Sequence, residues 1–404
     1  MAINNEQNKL NVPHLRFPEF QGEWCFSTIG EQFDLYSGNT PSRLNKEHFE
    51  GNVNWITSGE LKEHYISDTK EKISEDAATA NNLKLLHPGT FVIAIYGLEA
   101  DGVRGTGSIT CKESTISQAC MAFTQKGDVK NEFLYSWYKK HGNIIGIKYA
   151  QGTKQQNLSY DILEKFHIAY PSQDEQDKLI KFISLLDERI ATQSKLIEKL
   201  ESLIKGINQY VFTNNGVNYK LGELCEIRSG YSGNQLLSKS GLKVSRIETI
   251  SGHKVNMERI GYVAPFDSSE NYRLRIGDIL FSNINSVEYI GNTAFIDKDY
   301  DLYHGMNLLR LTPNDKVVMP FYLYLLLNTN RMLNRFKTIC NKAVSQASIN
   351  QTELGKTVVQ IHDINAQKQI CELYQALYDK LESEIYANSL FQKQKQYLLR
   401  QMFI

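Results

Sequence analysis

The chain repeats its own sequence once, at a distance of about 190 residues. The polar run KQQNLSYDIL begins at Lys154, and the related run SQASINQTEL begins at Ser345. Further pairs follow in the same order: Gly30 with Gly222, Glu31 with Glu223, Ser37-Gly38 with Ser229-Gly230, Glu60 with Glu248, Gly89 with Gly277, Phe133 with Phe321, and Gln176 with Gln367. This period is too long for a solenoid repeat. It indicates a duplicated module.

Length and composition predict a folded protein of more than one domain. A chain of 404 residues exceeds what one hydrophobic core usually serves. No apolar run approaches the ~20 residues that span a bilayer, and the start MAINNEQNKL has no signal-peptide features, so we predict a cytoplasmic protein. The 45 basic and 45 acidic residues cancel. That balance argues against a chain that holds nucleic acid mainly through its own phosphate contacts.

The cysteines and histidines do not indicate a metal site. The nine histidines form no HExxH or HxH cluster, and the cysteines form no CxxC pair. The six cysteines are Cys25, Cys111, Cys120, Cys225, Cys340 and Cys371. We predict that they are reduced and that most of them serve packing.

Each copy of the module has two parts. The first, about 150 residues, mixes short β-type runs with Gly/Asn-rich turns and one helix-like stretch, at 131–141 or 320–330. The second, about 40 residues, shows the four-and-three spacing of a coiled-coil seam. The seams are Leu179, Ile183, Leu186, Ile190, Gln193, Ile197, Leu200, Ile204, Ile207 and Val211, and then Ile370, Tyr374, Leu377, Leu381, Glu384, Asn388, Phe391, Lys395, Leu398 and Met402.

These parts predict an α+β fold with a pseudo-two-fold internal repeat. Two similar mixed α/β domains are separated by an antiparallel two-helix coiled coil, because the first helix leads away from the first domain and the second starts from the second domain. Each helix of about 38 residues would be ~57 Å long. The predicted boundaries are an N-terminal segment at 1–20, head 1 at 21–171, spacer helix 1 at 172–213, head 2 at 214–362 and spacer helix 2 at 363–404.

One polar pair stands near the middle of the two seams. Gln193 and Glu384 occupy equivalent positions, and antiparallel pairing would bring them close together. We predict a polar contact there that fixes the register. The alternative is a solvated gap where the helices splay apart.

Two related but unlike heads suit an elongated target that is read at two places. DNA is the natural candidate, because dimeric proteins read half-sites whose symmetry mirrors their own. Since the heads differ in sequence, the two half-sites should differ as well, and the helices should set the distance between them.

The chain resembles the DNA-specificity subunits of type I restriction-modification systems over essentially its whole length. The resemblance is carried by VPHLRFPEFQGEW (from Val12), the two SG turns, WITSGEL (from Trp55), the QQNLS and SQASIN runs, and the two helix starts at Glu175-Gln176 and Ala366-Gln367. It implies two target-recognition domains that read a split double-stranded site. It also implies two methyltransferase subunits on the helices and ATP-dependent restriction subunits, so that S-adenosylmethionine, ATP and Mg would bind to those partners and no cofactor to this chain.

Motifs for catalysis are missing or coincidental. The chain has no DPPY or NPPF tetrapeptide and no GxxxxGK[ST] loop, and GVRGTG at Gly102 is not GxGxxG. Asp34 with the ELK of 60–62 fits a nuclease spacing, but the second copy has Ile250 at the lysine position. We therefore predict a non-catalytic subunit.

Candidate DNA contacts are the polar side chains of the turns and loops, because Arg, Lys, Asn, Gln and Ser/Thr most often read base edges. In head 1 they are Ser37, Asn39, Thr40, Ser42, Arg43, Ser58, Tyr96, Arg104, Lys154, Gln155, Gln156 and Asn157. In head 2 they are Ser229, Tyr231, Ser232, Asn234, Arg246, Asn283, Asn285, Tyr303, His304, Ser345, Gln346 and Asn350. Arg43 and Lys154 are predicted to contact phosphates.

Two other readings of the sequence remain open. The chain could be an assembly scaffold that does not read DNA, or an orphan reader whose partner is a different methyltransferase. A specific bipartite footprint on DNA would separate a reader from a scaffold.

Overall fold

The computed structural model of the chain describes residues 11–99, 102–152, 156–212, 216–342 and 346–404. The chain divides into two compact units. Unit 1 comprises residues 1–194 and 386–404, and unit 2 comprises residues 195–385. The end of the chain therefore packs with its first half, as the predicted antiparallel return of the second helix requires.

Unit 1 is a mixed α/β head followed by the first part of a long helix. Its elements are β1 (Cys25–Thr28), α1 (Ile29–Gln32), β2 (Phe33–Ser37), β3 (Val53–Ile56), β4 (Tyr65–Ile66), β5 (Lys72–Ile73), α2 (Glu75–Ala80), β6 (Phe91–Ala94), β7 (Gly107–Thr110), β8 (Ser114–Ile116), β9 (Cys120–Gln125), α3 (Asn131–Tyr149), α4 (Tyr160–Leu163), β10 (His167–Tyr170) and α5 (Gln173–Val211). Single 3-10 turns lie at Lys46–Phe49 and Ser58–Glu60.

The main sheet of unit 1 has the strand order β2-β9-β6-β7-β4, with a smaller sheet β5-β3-β8 and the pair β1-β10. Every residue of β6 and β7 is buried, since both faces of the sheet are covered. The largest core of this unit includes Phe91, Phe123 and Phe133. The sheet thus packs directly against α3.

Unit 2 repeats this plan. Its elements are β11 (Val217–Lys220), α6 (Leu221–Leu224), β12 (Cys225–Ser229), β13 (Leu242–Val244), β14 (Gly261–Val263), β15 (Ile279–Phe281), β16 (Ile284–Asn285), β17 (Thr293–Phe295), β18 (Leu309–Pro313), α7 (Pro320–Leu327), α8 (Asn330–Ile339), β19 (Asn341–Lys342), β20 (Ala347–Ser348), α9 (Gln351–Gly355), β21 (Val358–Ile361) and α10 (Ile364–Met402). The 3-10 turns are Ile247–Ile250, Met257–Arg259 and Ser269–Tyr272.

The two heads share their central strand order. Sheet β12-β18-β15-β17 matches β2-β9-β6-β7 strand for strand, and β11-β21 matches β1-β10. The predicted fold class, a mixed α/β head present twice with long helices, is confirmed. The helix-like stretches begin where predicted, but the first continues to Tyr149 and the second divides into α7 and α8, because Thr329 caps a new helix.

The two long helices carry the predicted seam. Each has 39 residues, about 58 Å at the usual rise per residue, and all the predicted seam positions of both helices are buried or half-buried. In unit 1, Asp187 pairs with Lys395 and Asn388 donates to Ser194 over 3.4 Å. The lower number on one helix meets the higher on the other, so the helices run antiparallel in this unit. The contact between Gln193 and Glu384 stays a prediction, because the two residues belong to different units.

The ends of the long helices are used in the same way in both units. Phe403, just after α10, lies with its ring centroid 5.1 Å from that of Phe133 in unit 1. Phe212, just after α5, lies 5.3 Å from Tyr322 in unit 2. Each head is therefore packed by the start of one long helix and the end of the other. These contacts align Phe133 with Tyr322, one residue beyond the predicted match to Phe321.

A buried glutamine at the start of each long helix repeats its contacts. Gln176 is fully buried, accepts a hydrogen bond from the Lys130 amide over 2.9 Å and donates to two carbonyl oxygens. Gln367 does the same with the Met319 amide, also at 2.9 Å, and two carbonyls. Both amides lie just before the first residue of α3 or α7. The side chain thus satisfies backbone groups that the turn leaves unpaired, which explains its repetition.

Unit 1 has an additional ion pair, which joins the N-terminal segment to the first long helix. Arg16 of the N-terminal segment forms two 2.7 Å hydrogen bonds to Glu175 at the start of α5. The Glu175 side chain is 2% exposed. The second copy of the module has Ala366 at this position, so the ion pair is specific to unit 1.

The cysteines are mostly packing residues, as predicted: four are buried, while Cys25 and Cys111 are exposed. None of the helices in the described parts of the chain combines the length and the apolar character that a membrane span requires.

Candidate nucleic-acid interface

The two SG turns depart from the sheets under the same steric constraint. Gly38 follows β2, and an added Cβ there would overlap the backbone oxygen of Ile116. Gly230 follows β12, and its Cβ would overlap the backbone oxygen of Gly305. Only glycine allows this approach. The duplication therefore preserves the position where each candidate loop begins.

The loop after Gly38 is anchored to head 1. The Asn39 carbonyl accepts a 3.2 Å hydrogen bond from the Trp55 indole, and its side-chain amide donates to the Asn81 carbonyl over 3.3 Å. These bonds position the loop. They also use one of the two amide hydrogens of Asn39, a side chain that we predict reads a base.

Arg43 anchors the same loop. Its guanidinium donates to both carboxylate oxygens of Glu71, at 2.5 and 2.8 Å, and lies 4.7 Å from the Phe49 ring centroid. Hydrogen bonding to Glu71 raises the pKa of Arg43. The predicted phosphate contact would compete with this bidentate pair, so the structure favours an anchoring role.

The repeated polar runs form the same local structure in both heads. Leu158 and Ile349 are buried, and each amide donates over 2.9 Å to the carbonyl at an equivalent position, Ile95 or Asn283. The next residue, Ser159 or Asn350, occupies the N-cap position of the short helix α4 or α9. The side chain of Asn350 accepts a 2.8 Å hydrogen bond from the Glu353 amide. Burial of the apolar residue and the N-cap position of the residue after it thus account for the Leu158-Ser159 and Ile349-Asn350 pairs of the repeat.

These runs bring several candidates together. The carbonyl of Gln156 accepts from the Leu98 amide over 3.0 Å, so Gln156 and Asn157 lie beside the segment that contains Tyr96. In head 2, β16 with Asn285 pairs with β20, which follows Gln346. Lys154, Gln155 and Ser345 lie outside the described residues.

The structure corrects two candidates in head 2. His304 is 1% exposed, and its Nε2 lies 2.9 Å from the Leu308 carbonyl. Burial lowers the pKa of His304 to about 4, so the ring is neutral near pH 7. Tyr303 is 7% exposed, with its hydroxyl 3.4 Å from Glu270. The expectation that these two side chains are available to DNA is wrong, because they pack inside the head.

Tyr231 has a comparable supporting role. Its ring stacks on Phe266 with centroids 3.8 Å apart and planes 7° from parallel. The Tyr231 amide donates to the His304 carbonyl over 2.9 Å. This aromatic contact fixes the start of the head 2 loop.

The remaining candidates differ in exposure. Exposed positions are Ser37, Asn39, Ser42, Arg43, Ser229, Ser232, Asn234, Arg246, Gln346 and Asn350. Half-buried positions are Thr40, Ser58, Tyr96, Arg104, Gln156, Asn157, Tyr231, Asn283 and Asn285. The exposed group is concentrated in the loops after the SG turns, and three of its members, Asn39, Arg43 and Asn350, already make the hydrogen bonds described above.

The nuclease-like triad has structural partners. Glu60 caps the turn at Thr57, whose amide donates to it over 2.8 Å, and its other oxygen accepts from the Lys70 amide at 2.7 Å. Asp34 forms a salt bridge with Lys126 at 3.0 Å. These contacts support the interpretation of that spacing as chance.

A cluster of charged side chains attaches head 1 to the long helices in unit 1. The imidazole of His64 lies between the rings of Tyr65 and Tyr135, at centroid distances of 4.1 and 3.9 Å. Its Nε2 lies 2.8 Å from Glu132 and its Nδ1 lies 3.5 Å from Asp187. Burial disfavours the charged ring, but the two carboxylates outweigh it and raise the pKa of His64.

The positions equivalent to the two acidic residues are aromatic in unit 2. Asp187 also pairs with Lys395, so the unit 1 cluster joins head 1 to both long helices. In unit 2 the equivalent acidic positions hold Phe321 and Tyr378, whose ring centroids are 6.2 Å apart. The attachment in unit 1 should therefore be stabilised by a charged histidine, whereas in unit 2 burial lowers the pKa of the nearby His253 and favours its neutral form.

The stability of unit 1 is expected to depend on the charge of His64. Because its pKa is raised in the folded state, the contribution is complete below the unfolded pKa and is lost as pH rises through the folded pKa. His64→Gln should cost about 2 kcal/mol at about pH 5.5, a value typical of hydrogen bonds to charged groups, and progressively less at higher pH. Thermal unfolding of the wild-type chain and of the His64→Gln variant from about pH 5.5 to 7.5 tests this prediction.

The pH range of this comparison ends below the pKa of Lys139, which burial lowers to about 8. Above that range, loss of the proton from Lys139 would stabilise the folded state and would oppose the loss of stability due to His64. If the stability cost of His64→Gln were the same across this pH range, the role of the charged imidazole would be contradicted.

Two heads with one scaffold and different exposed loops define a protein with two related, non-identical recognition surfaces. The model of the type I restriction modification DNA specificity domain matches residues 21–202 and 215–388. These matches cover most of the chain. The chain therefore belongs to the family of type I restriction-modification DNA-specificity subunits.

Individual relatives agree with this assignment. The putative type I restriction enzyme MjaX specificity subunit of Methanocaldococcus jannaschii is 44% identical over 150 residues, which cover 36% of this chain and 35% of that subunit. The MjaVIII specificity subunit of the same organism is 24% identical over 356 residues, 81% of this chain and 79% of that subunit. The match thus spans about a third of the first relative and about four fifths of the second.

Solved structures share the fold. The type I S subunit from M. genitalium gives a TM-score of 0.58 at 18% identity, with 97% of this chain and 99% of that chain covered. A chain from a structural study of assembly and conformational transition in the type I R-M system gives 0.62 at 17% identity, covering 96% of this chain and 98% of that one.

Proposed function

We propose that this chain recognises a bipartite double-stranded DNA sequence, with each head reading one half-site. The chain supplies specificity and no catalysis. In this proposal two methyltransferase subunits and ATP-dependent restriction subunits assemble on it and perform the chemistry, and S-adenosylmethionine, ATP and Mg²⁺ bind to those partners.

The observation that carries the proposal is that the two heads of one chain share a scaffold but have different loops. Gly38 and Gly230 begin the loops under the same constraint, and the central sheets match strand for strand. The residues that follow differ, with Asn39-Thr40 in one head and Tyr231-Ser232 in the other, and Asn39 and Ser232 are exposed. Because base edges are read by the pattern of side-chain donors and acceptors, different loops on one scaffold imply two different half-sites.

The neutral net charge fits a division of labour. Affinity for DNA comes largely from neutralised phosphates and falls with salt, and this chain carries as many acidic as basic residues. The isolated chain should bind DNA weakly, and partners that close around the duplex should supply much of the affinity.

Methylome sequencing tests the proposal. A strain that expresses the chain with its methyltransferase should acquire one methylated motif with two unlike halves and a fixed gap. Asn234→Ala in head 2 should relax the preference by about tenfold at one position in one half only, and leave the other half unchanged. A contiguous motif, or no sequence-specific methylation, would contradict the proposal.

The same experiment separates the alternatives. A scaffold that does not read DNA would leave the methylated motif unchanged in every loop variant. An orphan reader would bind a bipartite site in footprinting but would support no methylation by a type I methyltransferase.

A further inference from the structure

Each head presents one leucine that is almost completely exposed. Leu44 is 97% exposed and Leu237 is 107% exposed, above the 81% of Tyr210, the next highest large apolar side chain in the described ranges. Single exposed leucines are ordinary on protein surfaces. These two leucines are distinguished by their positions in the candidate loops and by the hydrogen bonds that hold the neighbouring residues.

The two leucines occupy matching places in the candidate loops. Leu44 lies seven residues after Ser37, and Leu237 lies eight residues after Ser229. Each is followed two positions later by an exposed lysine, in Leu44-Asn45-Lys46 and Leu237-Ser238-Lys239. The sequence signal for this site is therefore a repeated Leu-x-Lys in loops that otherwise differ.

The loop of head 1 holds Leu44 outward. Leu44 is inside a turn in which the Asn45 amide donates to the Ser42 carbonyl over 3.3 Å. On one side Arg43 is held by Glu71, and on the other the Asn45 side chain caps the next turn through the Glu47 amide at 3.1 Å. Exposure of Leu44 is thus imposed by anchored neighbours.

The loop of head 2 reaches the same result with different contacts. The Leu236 amide donates to the Tyr262 carbonyl over 2.7 Å, so the chain leaves from β14. It returns at Gly241, where φ is +98° and an added Cβ would overlap the Val263 oxygen. Leu237 stands between these two attachments, at the tip of the loop.

The chemistry around the leucines favours DNA over a protein partner. Residues 37–46 and 229–241 contain no acidic residue, although the whole chain is neutral. Lysine is depleted in protein interfaces, whereas lysines pair with phosphates. Apolar side chains contact the thymine methyl group in the major groove, or insert between base steps in the minor groove.

We propose that Leu44 and Leu237 are apolar DNA contacts, one in each head, and that Lys46 and Lys239 hold them in place by pairing with phosphates. This inference rests on the proposed function, since it names side chains of the same surfaces. It assigns recognition to residues that a search for polar base readers omits.

The test measures binding of the chain, assembled with its methyltransferase, to its bipartite site and to unrelated DNA. Leu44→Ala or Leu237→Ala should weaken binding to the site by roughly tenfold, the effect of losing one buried leucine side chain, with an unchanged salt dependence. Lys46→Ala or Lys239→Ala should weaken binding to both DNAs equally and reduce the salt slope by about 1. Ile276→Ala, which alters a 67% exposed side chain of head 2 outside both loops, is the matched control.

The outcomes distinguish this inference from the proposed function. Leucine variants that bind the site as tightly as Ile276→Ala would overturn the inference and leave the proposed function intact. Leucine variants that lose the methyltransferase in a pull-down, at unchanged DNA affinity per assembled complex, would assign the leucines to a protein contact and also overturn it. A wild-type complex with no preferred site would remove the proposed function and this inference together.

Discussion

Replacing Arg16 by alanine is expected to destabilise unit 1 by about 3–5 kcal/mol, the usual cost of removing one member of a buried ion pair. The guanidinium donates to both oxygens of Glu175, whose side chain is 2% exposed. Without it, the buried carboxylate loses the partner that compensates its desolvation. Thermal unfolding of the full chain should show the transition of unit 1 lowered by about 10 °C, and hydrogen exchange should increase around the start of α5.

The second copy of the module supplies the control for this variant. It carries Ala366 where the first has Glu175, so the scaffold tolerates a small apolar residue there. The double variant Arg16→Ala, Glu175→Ala should therefore be more stable than Arg16→Ala alone, because no charge remains buried. A double variant at least as unstable as the single one would show that the loss comes from the N-terminal segment and not from the carboxylate.

Replacing Phe403 by alanine is expected to cost about 3–5 kcal/mol in unit 1, the range for a buried phenylalanine. The ring is 2% exposed and lies against Phe133. Because this contact attaches the end of α10 to head 1, hydrogen exchange should increase in residues 386–404 and in α3. Phe212→Ala should have the corresponding effect in unit 2 through Tyr322.

An exposed aromatic residue of the same helix provides the comparison. Tyr397 is 60% exposed, and Tyr397→Ala should change stability by no more than about 0.5 kcal/mol. If Phe403→Ala behaved like Tyr397→Ala, or increased exchange mainly in head 2, the attachment of each helix end to its head would be refuted.

The helices and the duplicated plan could be predicted because their signals are local. The four-and-three spacing of apolar residues determines which face of a long helix is buried, and all the predicted seam positions are at least half-buried. Gln176 and Gln367 stood out as a repeated pair, and their repeated backbone contacts explain why. The alignment of Phe133 was off by one residue, since packing against the helix end, not sequence similarity, determines the match.

The loop residues were predicted less well because their availability depends on distant partners. Arg43 appeared to be a free cation, but Glu71 occupies its guanidinium. His304 and Tyr303 had the polarity of base readers, but the core of head 2 encloses them. The exposure of Leu44 and Leu237 could not be predicted, since an apolar residue in a polar loop carries no local sign that it stays exposed.

Sequence reasoning alone identifies the duplication, the long amphipathic helices and the chemical difference between the two candidate loops. Hydrophobic periodicity and repeated N-cap residues depend on residues close together in the sequence, so they can be recognised without coordinates. The folded structure is needed to show which loop side chains are available and which cations are already neutralised. It also shows that the end of each long helix packs on the head from which the other helix begins. Those properties depend on contacts between residues far apart in the chain, because burial and ion pairing arise only when the packed units have formed.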